Sequence, residues 1–297
     1  MSAPTEVDAF ADDMARLQEE WPSLKGADRL ARLQAMVDAR AASAGFPAPD
    51  VTAPKGLGRQ NGELNFKEWE IAINPSLVHS ETLSPEQTAQ LGETVYHETR
   101  HAEQWSLLAK RQAGEGLGAD QIRYRLYVPD NVATDAVKRP LTRSDPRRPC
   151  ADALYKSIYG ADRVARNTTL ENLEDHGRAY VSANEEYKRA VAEEKRLMSQ
   201  FSLQEQSYIA CKERTPPATK AELDTLAKQR NDTASKLRAA QLRSSECRGR
   251  ADAARQTYDK TYADYRALPE EADAWDSGGR TSTAIMARLS EGNHGVA

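Results

Sequence analysis

His97 and His101 stand four residues apart with Glu98 beside the first, within Thr94-Val95-Tyr96-His97-Glu98-Thr99-Arg100-His101-Ala102-Glu103-Gln104-Trp105. On a helix, residues four apart lie one turn apart on one face, so the two imidazoles can direct nitrogens at a single metal ion. Glu98 then projects beside that ion. Its carboxylate can take the proton of a metal-bound water, which the ion acidifies to a pKa of about 7. This is the chemistry of a zinc hydrolase, and it requires a third protein ligand so that water can hold the fourth position.

The flanking residues predict the helix this chemistry needs. Ser84 reads as N-cap, Pro85 as the first helical residue and Gln87 as the closing member of a capping box. The helix is expected to run to about Gln112, before Gly114, with His97, Arg100, His101, Gln104 and Leu108 on one face. A third ligand is available far downstream in Leu268-Pro269-Glu270-Glu271-Ala272-Asp273-Ala274-Trp275, where Pro269 opens a new helix and both Glu270 and Glu271 fall in its first turn.

Other elements can be placed around these two. Residues 5–43 read as two amphipathic helices, marked by Phe10, Met14, Leu17 and Trp21 and by Leu30, Leu33, Met36 and Val37. Pro47, Pro49 and Pro54 make a stiff connection. Strand signals are confined to residues 56–74: Leu64 and Phe66, then the alternating Trp69, Ile71 and Ile73. A strand at a sheet edge here could hold an extended peptide or simply cover the core. Short helices are expected over Asp120–Tyr127 and Asp130–Lys138, and a charged loop over Arg143–Pro149.

From Leu170 the pattern becomes a long antiparallel helical hairpin turning at Arg214-Thr215-Pro216-Pro217-Ala218-Thr219. Its second arm keeps a heptad seam from Leu223 to Leu268, and Tyr180, Tyr187, Phe201 and Tyr208 answer it from the first arm. Large rings facing small residues predict close packing, in arms of about 43 residues and about 65 Å. Folding about the two prolines puts Cys211 near Leu223, Cys247 near Tyr187, and His176 opposite Tyr258 as a hydrogen-bonded core residue. The expected fold is mainly α with a small β hairpin or edge sheet, the helical hairpin being inserted between the metal ligands. The expected divisions are N-terminal helices over 1–49, the core with the metal helix over 50–145, the helical region over 146–264, the returning ligand helix over 265–290 and a tail over 291–297.

Composition suits this plan. The chain of 297 residues is 39% hydrophobic, 6% aromatic and 29% charged, a balance that favours long solvated helices. A net charge of −4 gives no basic footprint for nucleic acid. No apolar run reaches the roughly 20 residues that span a bilayer. Met1–Asp13 is acidic and lacks an apolar signal core, so synthesis in the cytoplasm is expected, with a specialised bacterial secretion machine as the route of any export. Cys150, Cys211 and Cys247 are too scattered for a disulfide framework or a cysteine zinc site.

Tyr96-His97-Glu98-Thr99-Arg100-His101-Ala102-Glu103-Gln104-Trp105, with Ile71-Ala72-Ile73-Asn74-Pro75 before it and Leu268-Pro269-x-Glu271-x-Asp273-Ala274 far after it, resembles the gluzincin-type metallopeptidase domains of bacterial polymorphic toxins and contractile-injection or type VI secretion effectors. The similarity covers roughly residues 28–110 and 262–279 and leaves the hairpin outside it. Metzincins are excluded, because Gln104 and Leu107 stand where their downstream glycine and histidine would be.

The resemblance implies a zincin-like α+β core, Zn2+ held by His97, His101 and Glu271, and Glu98 as general base and proton shuttle in peptide-bond hydrolysis. In such domains a Tyr or His commonly stabilises the oxyanion, which points to Tyr265 or Tyr262 here. Glu103 and Asp273 either orient a ligand histidine through its other ring nitrogen or are ordinary surface carboxylates. The partners expected are a protein or peptide substrate and, at the helical hairpin, an inhibitory (immunity) or secretion partner, with no nucleic acid and no membrane span. The alternative is a coiled-coil binding or assembly module whose zinc site is structural or vestigial, closed by a fourth protein ligand such as Asp273 or a cysteine.

Overall fold

The computed structural model describes residues 4–58 and 60–292; the first three residues, and the end of the expected tail including His294, lie outside the described residues. Two compact units are present. One joins the residues up to Arg166 to those from Arg266 onward, and the other holds Asn167–Tyr265.

In the first unit, α1 (Pro4–Glu20) and α2 (Gly26–Ala44) are followed by strands β1 (Asp50–Thr52), β2 (Gly62–Asn65) and β3 (Glu70–Ile73). A single turn, α3 (Pro75–Val78), leads to α4 (Pro85–Gly114), and then come α5 (Ala119–Leu126), α6 (Asp130–Lys138) and α7 (Arg148–Ile158). The predicted capping box starts α4: Ser84 Oγ accepts from the Gln87 N–H, and the Gln87 side chain accepts from the Ser84 N–H. The helix ends two residues beyond the expected Gln112.

Two apolar clusters enclose α4. Its N-terminal half (Ala89, Leu91, Val95, Tyr96) packs on Phe10, Met14, Trp21, Leu33 and Val37 from α1, α2 and their connection. Its C-terminal half (Ala102, Leu108, Ala109) packs on Ile122, Leu126, Val132 and Ala136 of α5 and α6. A helix buried along both halves is a rigid mount for side chains.

The last helix of this unit, α10 (Pro269–Gly292), crosses α4 closely, and glycines make the approach possible. A Cβ at Gly92 would lie 2.3 Å from Ile285 Cδ1, and one at Gly278 would lie 3.3 Å from Glu93 O and 3.5 Å from His97 Cβ.

The sheet has the order β1-β3-β2, with β1 parallel and β2 antiparallel to β3. Two expectations are corrected here. A third strand, β1, forms inside the proline-flanked connection, and the strand leading toward the metal helix, β3, is central, so the edges belong to β1 and β2. Phe66 and Trp69 are also outside the strands. Asn65 Oδ1 accepts from the Lys67 and Glu68 N–H groups, which closes a turn, and Trp69 adopts φ 58° with its indole N–H donating to Pro47 O. A further correction lies at Arg143–Pro149, where α7 begins within the expected loop.

The second unit is the hairpin, carried by α8 (Arg163–Glu213) and α9 (Lys220–Arg266). Its first arm begins earlier than Leu170. Its register is fixed by pairs across the arms: His176 with Thr261, Glu186 with Arg250, Glu194 with Ser244 and Glu205 with Arg230. This register is about one turn away from a fold centred on Pro216 and Pro217. Tyr258 therefore stacks on Tyr180, and His176 hydrogen-bonds Thr261 Oγ1 at 2.8 Å. Large rings meet small residues across the arms in places: a Cβ at Gly177 would lie 3.4 Å from Tyr258 Cε2, and Ala190, Cys247 and Ala251 are buried along the seam. Among the described residues no helix is long and apolar enough to cross a membrane.

Candidate metal centre

α4 supplies His97, Glu98 and His101, and α10 supplies Glu271, all within the first unit. His97 Nε2 and His101 Nε2 lie 3.1 Å apart, and Glu271 Oε2 is 3.8 Å from the first and 3.6 Å from the second. One ligand atom from each lies within 4.8 Å of the others, so the group can hold a metal ion. Donors on a tetrahedral zinc, about 2.0–2.1 Å from the ion, are separated by about 3.3 Å, close to the spacing found. The donor set therefore fits a single ion after shifts of a few tenths of an ångström.

Electrostatics at the group reflect burial and crowding. His97 is 8% exposed, and burial followed by the neighbouring His101 lowers its pKa to about 4. Burial alone would depress His101 too, but the polar approach of Glu271 and the charges of Glu98 and Glu271 outweigh it and raise it to about 9. Glu98 is 9% exposed, and burial raises its carboxyl to about 7 against the opposing pull of His101. The Leu64 main chain of β2 comes close to that carboxyl and opposes the rise more weakly.

The neighbouring side chains correct one expectation and add a residue the sequence did not point to. Neither Glu103 nor Asp273 contacts a ligand histidine through hydrogen bonds. Gln104 does so, its Oε1 lying 2.9 Å from His101 Nδ1, while its Nε2 donates to Glu270 O and Asp273 Oδ2. Arg100 bridges Glu103 and Asp273 at 2.6 Å each, and Glu103 continues to Arg40.

Glu270 is turned away from the metal group: its carboxylate accepts from Ser157 Oγ at 2.9 Å and Arg166 Nε at 2.5 Å. Adjacent glutamates thus have separate roles, one tying α10 to α7 and the start of α8, the other facing the histidines. Trp275, one turn along α10, packs its ring 4.7 Å from that of His97. Tyr265 belongs to the second unit, where its ring neighbours that of Tyr262 at 5.9 Å.

No protein-family model matches the chain, and no curated protein and no solved structure is significantly similar to it.

Proposed function

We infer that the protein is a zinc-dependent metallopeptidase of gluzincin type, in which His97, His101 and Glu271 hold the ion and Glu98 is the general base. The observation that carries this reading is the convergence of the α10 carboxylate on the two α4 histidines with Glu98 alongside. Zinc, when bound, would acidify a coordinated water and polarise a carbonyl. Glu98, on α4 beside the three ligands, is placed to take a proton from that water and return it to the leaving amine.

A peptide substrate is favoured by the sheet edge. The Asn74 N–H donates to Asn61 O at 2.8 Å. By the alternation of an antiparallel ladder, Glu63 and Asn65 then direct main-chain groups toward β3, while Gly62 and Leu64 direct theirs outward. An extended peptide added along that edge would pass Glu98. The metal-capable group contains three protein ligands, and Asp273 is engaged by Arg100 and Gln104. This favours a centre open to water over a closed structural one. An exported toxin or effector, with an inhibitory or secretion partner at the hairpin, is the setting proposed from the resemblance.

The test is Glu98→Gln, assayed with peptide substrates alongside zinc content. Retained zinc with turnover lowered by at least about a thousandfold is expected. Undiminished hydrolysis in that variant would remove Glu98 from the mechanism.

A further inference from the structure

The arginines around the metal group have internal partners. Arg40 pairs with Glu6 and Glu103, Arg100 with Glu103 and Asp273, and Arg166 with Glu270. Arg266 differs from them. It is exposed, it ends α9 just before α10 begins, and among the described residues it has no ion-pair partner.

What holds Arg266 is Trp275. The guanidinium carbon lies 4.4 Å from the centre of the indole, which also packs on the His97 ring at 4.7 Å. One indole therefore separates this charge from the first histidine. A guanidinium stacked on an indole is restrained by the ring, while its in-plane N–H donors remain available. Coplanar donors in that arrangement match a carboxylate in bidentate fashion. Receiving one would cost Arg266 no existing partner, whereas Arg40, Arg100 and Arg166 would each have to break an ion pair.

The geometry points to Arg266 as the residue that receives a substrate carboxylate beside the metal centre, an assignment that rests on the metallopeptidase reading. In a peptide that carboxylate is either the free C-terminus or an acidic side chain on the leaving-group side.

Three thiol-capped probes separate these cases on the zinc-loaded full chain: mercaptoacetyl-Leu-Ala with a free carboxylate, the same compound as its C-terminal amide, and mercaptoacetyl-Leu-Glu amide. Their affinities are measured by calorimetry for the wild type, Arg266→Ala and Arg266→Lys. The wild type should bind at least one carboxylate probe about tenfold tighter than the uncharged amide, and the favoured probe identifies the source of the carboxylate. The preference should vanish in Arg266→Ala and survive in part in Arg266→Lys, with affinity for the uncharged amide unchanged. Equal affinity for all three probes in the wild type, or a preference that persists in Arg266→Ala, overturns the role of Arg266 and leaves the metal reading standing. If no probe binds the zinc-loaded wild type, the metallopeptidase reading fails and this assignment fails with it.

Discussion

Gln104 does work at the metal centre that its residue type does not announce. With its Oε1 against His101 Nδ1, it fixes which ring nitrogen His101 offers to the metal, and its Nε2 fastens the same residue to the first turn of α10. Gln104→Leu should therefore weaken zinc binding ten- to a hundredfold in competition with a chromophoric chelator, with the fold retained. Wild-type affinity in that variant would deny Gln104 this role. Protons compete for the same site. In the metal-free protein His101 stays protonated up to about pH 9, whereas His97 is neutral above about pH 4. Zinc must displace the His101 proton, so apparent affinity should rise about tenfold per pH unit below pH 9 and level off above it. A titration flat from pH 6 to 8 would show that His101 carries no proton there. His97, Glu98 and His101 were legible in the sequence because their spacing has chemical meaning on a helix. Gln104 was not, since a polar residue on a helix gives no sign of its partner; its only cue was a place one turn beyond His101 on the same face.

At the scale of elements, the third ligand depends on how closely α10 can cross α4. Gly278 faces Glu93 O and His97 Cβ, so a branched side chain there must push α10 outward and carry Glu271 away from the histidines. Gly278→Val is expected to lose about 1–3 kcal/mol of stability and to bind zinc at least about tenfold more weakly, the second effect exceeding what the same loss of stability causes at a distant core site. Thermal unfolding with and without zinc checks this; unaltered zinc affinity would mean that the crossing does not set the ligand. The start of α4 was readable from Ser84, Pro85 and Gln87, because a capping box is a local device. β1 was not readable, since three residues between prolines become a strand only when β3 lies alongside them. The hairpin register was not readable either, because it too is set by contacts between segments distant in sequence. The turn between Glu213 and Lys220 is centred on the prolines, yet pairs far from it, such as His176 with Thr261 and Glu186 with Arg250, set the arms about one turn off that centre.

For the whole molecule, the central feature is that about a hundred residues of helical hairpin separate two histidines from a carboxylate that meets them. Buried apolar clusters of the first unit draw on α1, α2, α4 and α10 alike, with Ile285 of α10 packed among the N-terminal helices. Packing across the chain's two ends therefore brings Glu271 home, and no local signal encodes it. The sequence could suggest the return through Pro269 and its paired glutamates, but it could not separate Glu270 from Glu271 by residue type. Their separation follows from Ser157 and Arg166, which claim Glu270. The most direct test is zinc per chain, by elemental analysis of the purified wild type and Glu271→Ala prepared side by side. About one zinc in the wild type and much less in the variant is the expected result. Equal zinc in both, or none in either, would contradict a centre built from His97, His101 and Glu271.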